Sequence, residues 1–465
     1  MTNLSIVSLP WTRRLTAFLA VCVCLSTHAE LPPAVSTSEV IPAGSLIIAM
    51  DNNTQNIGSA FNLKSYGMVN HLLWNNIPVK WAIKPGKTKD GIDFTVAVQR
   101  VLPTSAAQST ISFHSGPFIV HRDLAALALP LMIAYGNNVA VYLTKADVTV
   151  DIRQTILQRK KVGVLDDGDK ADIHTAILNE AGFVSGQQYV VIPAATLANI
   201  NANVCITLAS EPHWDVTDND TEAQAIRLFV EAGGNFLAQC VAIVSYENNT
   251  LHGLYQTTNG VVKNKLSGGF SYPRADLQYS QFHGELKDKG GSISDYELNG
   301  GSFRNGAHAH VTNLSDPDTY VATASQLNSG GGAGVYYLGA HEYNGNDIAE
   351  INGRRMYLNA VMAYAARPTS CGFDFPASPL ANLIVLKSVE TINDPVGSSY
   401  PKSIPGAVIR YTIRVSNSGG GATDPNTETL VDSLPAAISM YMEDLGIDGS
   451  GPIYFEEGTS GLGFT

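Results

Sequence analysis

The chain has 465 residues, 45% of them hydrophobic and 15% charged, with a formal net charge of −12 and a mean hydropathy near neutral at +0.03. That length allows about two or three domains, each with a sizeable core. The acidic balance, without a long Lys/Arg tract, argues against nucleic acid as a partner, and beyond the N-terminus no apolar run reaches the roughly eighteen residues that a membrane span requires.

Residues 1–29 read as a cleavable secretory signal. Arg13 and Arg14 form the positive flank and residues 15–25 the apolar run, with small residues at Thr27 and Ala29. The run is too short for a permanent anchor, since about twenty residues are needed. The expected location is therefore secreted, extracellular or at the cell surface, with a cell-envelope or extracellular partner. Cleavage leaves Cys205, Cys240 and Cys371, enough for one internal disulfide and a spare thiol.

From residue 45 to 368, short apolar runs alternate with helical periods. Strand-like runs fall at 45–50 (ending at Asp51), 79–84, 138–144, 161–166, 189–193, 204–208, 235–240 and 334–341. Helical spacing marks 61–74, 124–134, 171–181, 221–232 and 352–366. In 221–232, Ala225, Leu228, Phe229 and Ala232 are expected to face inward, and Asp169 to cap the helix at 171. Strands that are apolar on both faces and alternate with helices predict an α/β fold, a mostly parallel sheet flanked by helices, over residues 30–370. Residues 250–333 break the rhythm with Gly, Ser and Asn and read as a loop-rich insertion. A linker follows at 371–380. Residues 381–465 alternate with period two around Ile409, Tyr411, Ile413 and Val415, which predicts a β-sandwich facing water on one side. This last domain reads as incomplete.

Two resemblances bear on this layout. Ile404-Pro405-Gly406-Ala407-Val408-Ile409-Arg410-Tyr411-Thr412-Ile413, with Asp432-Ser433-Leu434-Pro435 downstream, resembles a conserved bacterial surface-protein repeat of unknown function. That family implies an immunoglobulin-like sandwich in a stalk or spacer. Gly233-Gly234-Asn235-Phe236-Leu237-Ala238-Gln239-Cys240 and Tyr337-Leu338-Gly339-Ala340-His341-Glu342 make 30–370 similar in layout to class I glutamine amidotransferase-like, flavodoxin-like domains. The resemblance implies Cys240 as nucleophile, His341 as base and Glu342 as its carboxylate. The sequence departs from that pattern: the bulky 241–244 run follows Cys240, and Glu342 comes directly after His341.

A thiol at a helix start beside a histidine can act as a nucleophile. A free cysteine is also commonly a small buried hydrophobe, and the bulky 241–244 run points to that fate for Cys240. Glu211, His213 and Asp215 cluster after the 204–208 run and, with Asp51 at the end of another, are candidate binding residues at the ends of strands. No metal class prescribes their spacing. The sequence contains no phosphate-binding loop, dinucleotide fingerprint or G-x-S-x-G, so neither metal nor cofactor is expected. The leading expectation is a non-catalytic binding or structural head carried on immunoglobulin-like repeats. The alternatives are a cysteine-dependent amide hydrolase using Cys240 and His341, and a carbohydrate-binding adhesin.

Overall fold

The computed structural model describes residues 2–4, 7–8, 36–168, 170–193, 205–211, 220–265, 268–287, 290–326, 334–363, 383–397, 401–417, 439–440 and 453–455. The chain divides into a smaller unit, Met1–Leu25 with Pro376–Thr465, and a larger one, Ser26–Phe375. The linker expected at 371–380 and the apolar run at 15–25 lie outside the described residues. Strands β1 (Thr2–Leu4) and β2 (Val7–Ser8) belong to the smaller unit.

The larger unit begins with β3 (Thr37–Ile41), β4 (Leu46–Ile48), α1 (Lys64–Trp74), β5 (Val79–Ala82), β6 (Ile92–Leu102), β7 (Gln108–His114), β8 (Phe118–Val120), α2 (Arg122–Tyr135), β9 (Val141–Thr144) and β10 (Val148–Ile156). These strands form one sheet in the order β3-β10-β5-β8-β4-β9-β6-β7, and every pairing in it is antiparallel. Both faces are buried at its centre. Leu46, Ile48, Val79, Trp81 and Val120 pack with residues of α1 and α2, while Ile47, Phe94, Val96, Phe113, Ile119 and Tyr142 form a core made of strand and strand-end residues.

The second sheet is mixed. It is built from β11 (Val162–Asp166), α3 (Ala171–Glu180), β12 (Tyr189–Pro193), β13 (Thr207–Ser210), α4 (Asp220–Glu231), β14 (Asn235–Gln239), α5 (Val241–Glu247), β15 (Val261–Asn264), β16 (Phe270–Ser271), β17 (Asp295–Leu298), β18 (His308–Asn313), β19 (Tyr320–Gln326), β20 (Gly334–Leu338) and α6 (Ile348–Met362). Strands β12-β11-β13-β14-β20 run parallel. From β20 outward the pairings turn antiparallel, through β19 to β17, β15, β18 and β16. The described part of 250–333 thus carries five strands that extend this sheet.

The expected α/β fold, a mostly parallel sheet flanked by helices over 30–370, is therefore incorrect. The unit is mostly β and most of its pairings are antiparallel. The physical reason is visible in the first sheet. Its central strands β4 and β8 are apolar on both faces because helices cover one side and strand residues enclose a core on the other, so double-sided burial does not require parallel strands.

Two smaller expectations also shift. In α4 the buried residues are Ala223, Ala225, Ile226, Phe229 and Val230, and Leu228 is exposed. The N-cap of α3 is Lys170, with Asp169 outside the described residues.

In the smaller unit, β21 (Leu383–Asn393), β22 (Val408–Asn417), β23 (Ser439–Met440) and β24 (Ile453–Phe455) complete the strands. β21-β22-β2-β23 form one antiparallel sheet, and β1 pairs with β24. Among the described residues the expected immunoglobulin-like sandwich does not emerge: two short strands from the start of the chain enter these sheets.

Candidate cysteine–histidine–glutamate site

The parallel strands β11, β13, β14 and β20 end side by side, so residues following them converge although they are far apart in sequence. Asp167 follows β11, Glu211 follows β13, Cys240 follows β14, and His341 lies three residues beyond β20. Nδ1 of His341 lies 2.8 Å from Oε1 of Glu211. Ligand atoms of Glu211, Cys240 and His341 all lie within 4.8 Å of one another. All three residues are buried, and Cys240 is fully so.

Cys240 stands between β14 and α5 with φ 51° and ψ −117°. A side-chain-bearing residue enters this region at a cost of about 1–3 kcal/mol, so it persists only where its surroundings impose it. Here the Cys240 N–H donates to the Leu338 carbonyl at 3.0 Å, fastening the turn to the end of β20. The bulky residues after it are no obstacle: Val241, Ala242 and Ile243 pack into the core around α5. Cys240 is a free thiol. Cys205 is disulfide-bonded, with its partner outside the described residues.

His341 is presented by a second left-handed residue, Ala340, at φ 62°. Two bonds hold Ala340: its N–H donates to Ile293 O at 2.7 Å, and its carbonyl accepts from Gln239 Nε2 at 2.9 Å. Gln239 Oε1 in turn lies 3.0 Å from His174 Nε2. Burial, aided by neighbouring His341, pushes His174 down to about 4, so its ring is neutral at ordinary pH and Nε2–H donates to the amide oxygen. Burial also works against charge on His341, but the hydrogen bonds and charges of Cys240 and Glu211 outweigh it and raise the ring to about 10. A charged imidazolium thus lies between a sulfur and a carboxylate. Asp167 extends the cluster. Its Oδ2 accepts from Ser210 Oγ at 2.6 Å and Tyr246 OH at 2.5 Å, and burial, with Glu211's charge, pushes it up to about 6.

A short segment closes over the sulfur. The Ile293 N–H approaches Cys240 Sγ at 3.4 Å, and the His341 N–H donates to Gly290 O at 3.2 Å. Gly291, at φ 104°, lies so close that a Cβ there would sit 2.9 Å from Sγ and 3.2 Å from the His341 ring. On another side His341 lines a cleft of about 450 Å³ together with Lys170, Ile173, Ile177, Glu342 and Tyr343.

The structure brings Cys240, His341 and Glu211 together, but it gives Glu342 a different place from the one expected. Glu342 is 59% exposed, with Oε1 4.0 Å from Nε2 of His341, whereas Glu211 holds the other ring nitrogen. Asp51 serves a turn: its carboxylate accepts from the Asn53 N–H, the Thr54 N–H and the Thr54 hydroxyl. His213 and Asp215 lie outside the described residues. Sequence reasoning missed Gln239, His174 and Asp167. The positive-φ requirement at Ala340 has no sequence signal, because alanine carries no mark of it.

No protein-family profile matches the chain, and no curated protein matches it. Among solved structures, a GMP synthase component from Thermoplasma acidophilum is similar at TM-score 0.28 and 13% identity, over 43% of this chain and 92% of that one. A GH42 β-galactosidase, Gan42B, matches at 0.27 and 12%, over 63% of this chain and 43% of its own. The N-terminal domain of mmIFT52 matches at 0.27 and 11%, over 43% and 97%. Likeness this slight establishes neither fold nor function. The mostly antiparallel sheets contradict the resemblance to class I glutamine amidotransferase-like, flavodoxin-like domains, and no family model supports the one to the surface-protein repeat.

Proposed function

We propose that the larger unit is a cysteine-dependent hydrolase of an amide bond in peptide or cell-envelope material. Cys240 is the nucleophile, His341 the proton carrier and Glu211 the group that orients the ring. The observation that carries this reading is a free cysteine held at positive φ at a strand-to-helix turn, the geometry that exposes a nucleophile to its base, with His341 and Glu211 in reach. The Cys240 thiolate attacks the acyl carbon, forming a C–S bond and a tetrahedral oxyanion. As that collapses, the C–N bond breaks and the imidazolium of His341 gives its proton to the departing amine. Neutral His341 then takes a proton from water. The hydroxide attacks the thioester, and the carboxylic acid leaves as the thiolate and imidazolium re-form. The cleft beside His341 suits the leaving amine.

Iodoacetamide labelling of the folded chain tests this. Cys240 should react readily at neutral pH in the folded chain, without denaturant. His341→Ala should slow the reaction at neutral pH by about 100-fold. A second reading, a non-catalytic binding or structural head, is favoured by the closure of residues 290–293 over the sulfur. It prevails if Cys240 stays unlabelled until denaturant unfolds the chain. Nothing in the described part of 250–333 favours carbohydrate binding. Export is proposed as well, with β1 and β2 present only in the uncleaved chain. The order of charge, apolar run and small residues in 1–29 supports it, as does the disulfide at Cys205, which fits an oxidising compartment. N-terminal sequencing of protein from the producing cell should begin at Glu30, and an intact Met1 would reject export.

A further inference from the structure

We infer that Glu211, Cys240 and His341 together bind one Zn²⁺ ion, and that, in the hydrolase reading on which this consequence rests, the bound ion silences the nucleophile. Zinc is held by thiolate sulfur at about 2.3 Å and by imidazole nitrogen or carboxylate oxygen at about 2.0–2.2 Å in a tetrahedron, whose ligand atoms then lie about 3.3–3.7 Å apart. The three ligand atoms here already lie within 4.8 Å of one another, so closing on a metal requires movements on the order of 1 Å.

The donor set is mixed. One sulfur, one nitrogen and one oxygen match a borderline cation and exclude the hard oxygen-seeking ions Ca²⁺ and Mg²⁺. The surroundings suit it as well. Residues 290–293 cover the sulfur, and the Ile293 N–H already approaches it, the kind of outer hydrogen bond that orients a ligand. Three protein ligands leave the fourth position to a water molecule or a small anion.

Metal entry is a simple exchange. Zn²⁺ takes the place of the proton shared between His341 Nδ1 and Glu211 Oε1, and that proton goes to solvent. The sulfur becomes a ligand, and nothing is oxidised or reduced. A metal-bound sulfur has its lone pair committed, and His341, neutral and metal-bound at Nδ1 while keeping its Nε2–H, is no longer the imidazolium acid that the leaving amine needs, so zinc and turnover exclude each other.

The test uses the full chain after EDTA treatment. One equivalent of Co²⁺ should give a thiolate-to-cobalt charge-transfer band in the near ultraviolet, and equimolar Zn²⁺ should remove it while Mg²⁺ leaves it. Cys240→Ser should abolish the band. Glu211→Gln should keep it but demand at least tenfold more Co²⁺. Absence of the band, or its persistence in Cys240→Ser, overturns the inference.

Iodoacetamide labelling separates the two proposals. Brisk labelling of Cys240 without metal, unchanged by Zn²⁺, leaves the hydrolase reading standing and removes the zinc site. No labelling of the folded, metal-free chain alongside a cobalt band removes the nucleophile and keeps the metal site. A tenfold or greater slowing by Zn²⁺ supports both.

Discussion

The two ends of α5 bury polar groups in opposite ways. At its far end Glu247, fully buried, is surrounded by donors: the Tyr255 N–H at 2.9 Å, the Thr257 N–H and hydroxyl at 2.7 Å each, the Gln256 N–H at 3.2 Å, and the Tyr337 hydroxyl. Most of these donors do not titrate, and most come from one neighbouring turn. At its near end Cys240 meets groups that can exchange protons with it, His341 and Glu211, delivered by two other strands. A buried carboxylate saturated by fixed donors holds a loop in place. A buried sulfur set against a charged ring and a second acid is poised for chemistry.

If that contrast is right, replacements at the saturated end should cost the most stability. Glu247→Ala would strand several buried donors at once, and an equilibrium denaturation should record a loss of about 3–5 kcal/mol. A loss under about 1 kcal/mol would erase the distinction between the two ends. Next comes Lys87→Met, in the loop between β5 and β6. Lys87 Nζ lies 2.6 Å from Asp93 Oδ1, both side chains nearly inaccessible, and Asp93 also accepts from the Lys84 and Gly116 N–H groups. Burial drives Lys87 down and Asp93 up, each opposed by the other's charge. Removing the cation leaves an unpaired buried carboxylate, at about 3 kcal/mol. The backbone donors on Asp93 should keep that figure at the low end of its range.

How much of this was legible in the sequence follows from the range of each interaction. Cys240 and His341 could be found because each follows an apolar run bounded by small residues, and a local pattern marks a strand end. Glu211 could be placed at a strand end but not paired with the ring, because its partner is 130 residues away. Glu342 was the tempting alternative for the opposite reason, adjacency in the chain. The left-handed turn at Ala340 sets the ring's direction and leaves Glu342 59% exposed beside it. The antiparallel first sheet was illegible because Leu46, Ile47 and Ile48 are all buried although they alternate between two cores. A continuous apolar run says that both faces are covered without saying by what.

A smaller effect sharpens the chemistry of the near end. His341 is raised to about 10, against burial, by Cys240 and Glu211. A ring raised above its unfolded value of about 6.5 adds stability that is fully present below that pH and is lost as pH rises through the folded value. Denaturation midpoints should therefore fall between pH 6.5 and 10.5 by more in wild type than in Glu211→Gln, which removes one of the raising groups. NMR titration of the His341 ring should show the same change directly, as a lower pKa in the variant. An unchanged ring pKa would mean that Glu211 does not orient it.

The smallest expected effect decides what Cys240 is. In an ordinary buried position, Cys→Ala removes one sulfur and Cys→Gly removes more, so glycine should be the worse replacement, by up to about 1 kcal/mol for the added chain entropy and the larger void. At φ 51° the order should invert. Alanine keeps the Cβ and with it the positive-φ cost of about 1–3 kcal/mol, while glycine sheds that cost. The sulfur's packing contribution is lost in both variants and cancels in the comparison. Cys240→Ala should then lose about 1 kcal/mol, and Cys240→Gly should be at least as stable as Cys240→Ala in the same denaturation series. Glycine clearly below alanine would mean that the backbone at 240 is unstrained, and the turn that presents the sulfur to His341 would lose its physical basis.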